Sequence, residues 1–271
     1  MSNRNSQANK AAARERLRAE RERQAKKDRT RKQLVVAVSV VAALAVVGGI
    51  SYGVTQLNKP DAWEAAADAK NVTAPKNTSG DEGTTVVIGE PGAKKTLELY
   101  EDSRCPVCAT FEQGVGETIA KDVEAGKYKI EYVGATFIDN VDNGSGSKNA
   151  LSALGAALDV SPEAFMEYKA ALYSAEFHPA ESEDKFAEDS YLIEVADSVD
   201  ALKNNKAFQK DVEDGTYDAW AMKMSEKFDK SGVQGTPTLK MDGEKVTSEG
   251  SDNAPMTPAE FTAAVDKALK G

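Results

Sequence analysis

The stretch LELYEDSRCPVC (97–108) holds both cysteines of the chain, and its reading decides the rest. Its first half alternates apolar and polar residues, the pattern of a strand with one buried face. Its last four residues are Cys105, Pro106, Val107 and Cys108. Proline fits the first position of a helix, so the pair stands where a strand hands over to a helix. Cys105 then sits at a helix N-terminus, where unpaired N–H groups and the helix dipole favour an anion. A thiolate so placed has a lowered pKa and is both a nucleophile and a good leaving group. Cys105 is the expected attacking sulfur, and Cys108, one turn further in, the buried resolving sulfur. A static disulfide competes with this reading, but closing so short a loop stabilises a fold weakly.

Outward from this stretch the pattern is mixed α/β. TTVVIG (84–89) reads as a strand, as does the segment 95–102 that leads to the cysteines. The helix after Cys105 runs to about residue 125, and 128–138 is a further strand. A loop at 140–147 opens a long helical block, with an insertion at about 141–212. In it Ser161 and Pro162 are a helix cap and first residue. Phe165, Tyr168, Tyr173 and Phe177 fall near helical spacing and are read as core or groove lining. TPTLKMDGEKVTS (236–248) reads as a hairpin turning at Asp242-Gly243. A final helix, 257–270, has Thr257 as cap, Pro258 first and Glu260 three residues on.

The net charge of −10 hides two opposite parts. Residues 1–32 carry 12 basic and 4 acidic side chains, and the remainder 22 and 40. An acidic body argues against a nucleic-acid reader, which presents a basic face. Residues 34–54 hold no charge at all, and 21 residues match the ~20 needed to cross a bilayer core. The expected organisation is a basic cytoplasmic tail (1–32), a transmembrane signal-anchor (33–54), a flexible stalk (55–83) and a folded domain (84–271). The basic flank keeps the N-terminus cytoplasmic and sends the body out. A cleaved signal peptide is the rival, disfavoured by the long leader and the lack of a clean cleavage site.

The second chemical element is Gly235-Thr236-Pro237-Thr238, which enters the hairpin. A cis Thr236–Pro237 bond would leave the Thr236 backbone free to pair with an extended peptide. The residues alone favour an ordinary trans proline closing a loop. His178, the single histidine, precedes a proline in an acidic loop and reads as a surface residue. With two cysteines and one histidine there is no ligand set for zinc, and no cofactor is expected.

LELYEDSRCPVC together with GVQGTPTLKMDG (232–243) resembles the DsbA-like group of thioredoxin-fold oxidoreductases, as found membrane-anchored or exported in actinobacteria. The helical block between them resembles the insertion of that group, and the resemblance covers residues 84–271. It implies a thioredoxin fold with a helical insertion, Cys105 nucleophilic, Cys108 resolving, Pro237 cis and Thr236 docking the substrate backbone. It further implies exported cysteine-containing clients and a membrane redox partner that reoxidises the dithiol. Two positions depart from the group. Val107 stands where histidine often stabilises the thiolate, which leaves the helix end and Arg104 to do so. Leu99 stands where many relatives bury a carboxylate, six residues before the first cysteine. Glu101, or a shifted Glu98, could then shuttle the proton, although strand alternation separates the two and each is expected to face solvent. The same residues would also serve an envelope reductase or isomerase, or a tethered peptide-binding domain without turnover.

Overall fold

A computed structural model of the chain describes residues 62–270. The basic tail, the anchor span and the first residues of the stalk lie outside them. Among the described residues no helix is long and apolar enough to cross a membrane.

The chain enters through a short helix α1 (Ala62–Ala67) and reaches strand β1 (Val86–Ile88). Strand β2 (Thr96–Asp102) leads to helix α2 (Pro106–Glu124), and strand β3 (Lys129–Ala135) follows. The helical block comprises α3 (Ile138–Val141), α4 (Gly146–Val160), α5 (Pro162–Leu172), α6 (Asp189–Ala196), α7 (Lys206–Glu213) and α8 (Asp218–Lys230). Strands β4 (Thr238–Met241) and β5 (Glu244–Lys245) then form the hairpin, and α9 (Pro258–Ala268) ends the domain. The sheet order is β1-β3-β2-β4-β5. β2 and β3 are parallel, as a crossover through α2 requires, and the other pairs are antiparallel.

Local chemistry sets the element ends. Ser161 and Thr257 each cap a helix whose next residue is proline, accepting from Ala164 N and Glu260 N. Asp242 and Gly243 both have positive φ, the conformation that a tight two-residue hairpin turn needs. β2 alternates in exposure over its first half, but Tyr100, Glu101 and Asp102 are all buried. The strand's C-terminal end is covered on both faces, so alternation stops there.

Two features differ from the sequence expectations. The stretch 140–147, expected as a loop, includes the end of α3 and the start of α4. Within the stretch expected as a stalk, residues 76–83 are fastened to the domain. Lys76 meets Asp159, Asn77 Nδ2 donates to Leu158 O at 2.7 Å, and Gly83 O accepts from Trp220 Nε1 at 2.8 Å. These bonds satisfy backbone and side-chain groups that a free tether would leave to water.

Candidate active site

Cys105 caps α2 in an extended conformation, and its Sγ accepts from Cys108 N at 3.4 Å. Both sulfurs are free thiols, Cys105 at 7% exposure and Cys108 fully buried. Ala109, Phe137, Ile138 and Tyr173 pack around them. The Thr236–Pro237 peptide bond is cis, as the resemblance implies and against the trans reading of the residues alone. It brings Thr236 O within 3.6 Å of Cys105 Sγ. An exposed Val107 and the loop 232–238 border an open groove of about 860 Å³, whose walls include Val233, Pro237, Ala254 and Met256.

The two sulfurs differ electrostatically. The Cys105 thiol is pulled down to about 6, first by its hydrogen bond with Cys108, against burial, and further by Thr236 and the N–H groups opening α2. The Thr236 hydroxyl is buried with no hydrogen-bond partner among the described residues, so it can donate to whichever sulfur is ionised. Cys108 is pushed well above its ordinary value, first by burial and then by Cys105 and Glu101. The site therefore holds one sulfur ready to ionise and leave, and one that holds its proton.

Glu101 lies below this pair and is fully buried, not facing solvent as expected. Leu99 and Glu101 share a face of β2, and that face is turned to the core. Burial pushes the Glu101 carboxyl up to about 7, with Lys169 opposing and Glu112 adding. Its Oε2 accepts from Lys169 Nζ at 3.2 Å, and Lys169 also donates to Glu112 Oε2 at 2.6 Å. Glu101 Oε1 and the hydroxyls of Tyr132 and Tyr173 are buried without hydrogen-bond partners among the described residues. Glu98, on the opposite face, is half-buried and accepts from Tyr100 OH at 2.5 Å, apart from the cysteines.

Arg104 does not face the sulfur, contrary to expectation. Its guanidinium is buried, donating from Nη1 to Asp139 Oδ1 and from Nη2 to Glu181 O, both at 2.9 Å. Its Nε pairs with Asp184 at 3.2 Å. It clamps the active-site turn to the helical block. His178 is likewise no free surface residue. It is half-buried, stacks on Tyr173 and has Nε2 3.2 Å from Ser103 O, and burial lowers its pKa. Phe165, Tyr168 and Tyr173 are buried and Phe177 packs on the core.

Sequence reasoning passed over Lys169 and Glu112. Both carry a readable signal: a charge on an apolar stripe. Lys169 stands four residues after Phe165 and three before Leu172, and Glu112 four after Cys108 and three before Val115. A charge on such a stripe calls for a buried partner.

A reduced dithiol at a helix N-terminus, facing a cis-proline loop on a five-stranded sheet with a helical insertion, defines the class as thioredoxin-fold dithiol proteins. Residues 81–267 match the thioredoxin family model. Disulfide bond formation protein D of Bacillus subtilis (strain 168) is 24% identical over 186 residues, which is 68% of this chain and 77% of that protein. The reduced structure of DsbA from Mycobacterium tuberculosis is 27% identical, with 69% of this chain and 98% of that one covered at a TM-score of 0.54. Reduced DsbG of the same organism, a disulfide bond oxidoreductase, is 28% identical, covering 78% and 93% at a TM-score of 0.55. The chain belongs to the thioredoxin family, as a DsbA-like thiol–disulfide oxidoreductase.

Proposed function

We propose that the chain is a membrane-anchored, extracytoplasmic oxidoreductase that introduces disulfides into exported proteins through the Cys105–Cys108 couple. The observation that carries this is the split between the sulfurs: Cys105 down to about 6, Cys108 well above its ordinary value. A dithiol whose outer sulfur is stable as thiolate favours the reduced form, and so gives its disulfide away readily. The uncharged run 34–54 behind a basic tail supports the anchor and its orientation.

In the oxidising direction an extended client docks along the cis-proline loop and the groove beside Val107. A client thiolate attacks Cys105 Sγ. The new S–S bond joins client to Cys105, and the old bond breaks toward Cys108, which takes the electron pair. The buried Cys108 thiolate takes a proton from Glu101, the weaker base of the two. A second client thiolate then attacks the client sulfur of the mixed disulfide, and Cys105 leaves as a thiolate. The client has lost two electrons and the couple has gained them. A membrane-embedded partner takes them away, and tethering holds enzyme, client and partner in one layer at raised effective concentration.

The test is the reduction potential of the full chain in detergent, equilibrated with glutathione buffers. A value near or above about −180 mV supports the oxidase. A value near or below about −270 mV, as in thioredoxin, points to a reductase and sinks it. Cys108→Ala is expected to accumulate clients bound at Cys105, and Cys105→Ser to abolish client oxidation without loss of folding.

A further inference from the structure

Ala109 on α2, Phe137 and Ile138 just after β3, and Tyr173 at the end of α5 wall in the dithiol. Tyr173 is fully buried, and its hydroxyl has no hydrogen-bond partner among the described residues. Charge on Cys108 acts on that hydroxyl, which places the ring beside the inner sulfur. The backbone of Tyr173 is fixed by bonds: its N donates to Lys169 O at 3.2 Å, and its O accepts from Gln113 Nε2 at 2.7 Å. The ring itself is held by what packs on it.

On that ring lies His178, with centroids 5.9 Å and planes 21° apart, and Phe186 stands edge-on to the imidazole at 6.0 Å. His178 is half-buried, so the order from solvent inward is imidazole, phenol, sulfur. The imidazole is fixed in turn by Ser103, whose carbonyl is 3.2 Å from Nε2. Burial lowers the His178 pKa, so at pH 7 the ring is neutral and has one proton for two facing carbonyls, those of Ser103 and Pro179. Ser103 is 1% exposed, whereas Pro179 is half-buried and open to water. The proton therefore belongs on Nε2, where it satisfies the carbonyl that water does not reach. The segment between α5 and α6 is anchored without the ring. Tyr191 OH donates to Phe177 O at 2.6 Å, and Asp184 accepts from Ser145 N and Gly146 N at 2.9 and 3.0 Å.

The structure assigns to His178 the part of a positioning residue: bonded to Ser103 and stacked on Tyr173, it keeps Tyr173 closed over Cys108. The inner sulfur then exchanges with Cys105 and is shielded from small disulfides in solvent. This rests on Cys108 as the buried resolving sulfur and holds for either direction of electron flow. Oxidised glutathione makes the shielding visible. The Cys105 thiolate attacks it, a Cys105–glutathione bond forms, and one glutathione thiolate leaves. Cys108, as thiolate, then attacks Cys105 Sγ, which closes the internal disulfide and releases the second glutathione thiolate. With Tyr173 displaced, Cys108 instead attacks another oxidised glutathione and takes a glutathione of its own.

The experiment mixes the reduced full chain in detergent with oxidised glutathione, quenches with acid and weighs the intact chain. The wild type is expected to pass through one bound glutathione and end with none. His178→Ala is expected to accumulate chains that carry two, and to lose the single adduct about tenfold more slowly. His178→Gln, whose amide nitrogen reaches as far as Nε2, is expected to stay within about threefold of the wild type. His178→Asn, which reaches only as far as Nδ1, is expected to behave as His178→Ala. A His178→Ala chain that closes its disulfide at the wild-type rate without a double adduct overturns the assignment, as does a Gln variant no better than Ala. Thr257→Ala, at the cap of α9, weakens the fold elsewhere and is expected to give no double adduct. A double adduct there as large as in His178→Ala makes the effect one of general unfolding and overturns the assignment. Cys105→Ser tests the premise. If its Cys108 takes up glutathione readily with His178 in place, the resolving role of Cys108 falls and the positioning role with it. If Cys108 is slow there and equally slow once His178→Ala is added, the positioning role alone falls.

Discussion

Glu101 and Asp102 follow one another on β2, are both fully buried, and point to opposite faces of the sheet. Burial raises both carboxyls to about 7. Their partners differ. Asp102 accepts from Arg104 N at 3.0 Å, Ile138 N at 3.2 Å and Ser147 Oγ at 2.6 Å. With the neighbouring Arg104–Asp139–Asp184 cluster it ties the turn before Cys105 to the starts of α3 and α4. Glu101 has a single donor, Lys169, and one oxygen without a hydrogen-bond partner among the described residues. A buried carboxylate saturated with donors stiffens a joint. One left with an open oxygen below a thiol can trade a proton.

The largest expected effect lies on the Asp102 side. Asp102→Ala leaves two backbone N–H groups and the Ser147 hydroxyl unpaired in the interior. It is expected to cost about 3–5 kcal/mol in urea unfolding of the reduced protein, at about 1–3 kcal/mol for each buried donor left unpaired. The thiolate absorbance of Cys105 should titrate as in the wild type. Arg104→Ala strands buried Asp139 and is expected to cost about 3 kcal/mol, again without moving the thiol. A large shift of Cys105 in either variant would break the division of labour drawn here.

On the dithiol side the expected effects are smaller in stability and visible in titration. Thr236→Val removes the hydroxyl that serves the ionised sulfur. The Cys105 midpoint, read at 240 nm, should rise from about 6 by roughly one unit, or about 1.4 kcal/mol. Because the folded thiol pKa is depressed, its contribution to the reduced protein is present above the unfolded thiol value and lost as pH falls through about 6. Smallest is Glu101→Gln. A raised carboxyl contributes stability below its unfolded value, and that contribution is lost as pH rises through about 7. The variant should therefore show a flatter stability profile between about pH 4 and 7, and at pH 8 match or exceed the wild type by about 1 kcal/mol. Marked destabilisation at pH 8 would make Glu101 a structural residue like its neighbour.

What the sequence revealed was local. The strand-to-helix handover at Cys105, the caps at Ser161 and Thr257 and the Asp242-Gly243 turn all rest on neighbours a few residues apart. The floor of the site does not. Alternation along β2 places Leu99 and Glu101 together but says nothing of what covers the strand's end, where both faces are buried. Lys169 lies 68 residues from Glu101, and only the tertiary fold shows that they meet. Arg104 and His178 were misjudged for the same reason: their partners are Asp139, Asp184 and the Ser103 carbonyl, brought near by the helical block.

The fastening of residues 76–83 has a mechanical consequence. Its partners are Asp159 and Leu158 at the end of α4, and Trp220 on α8, with Lys227 of α8 reaching Thr84 O. None of them lies on α2. Force applied ahead of residue 76 would therefore reach α4 and α8 before it reached α2 and its two sulfurs.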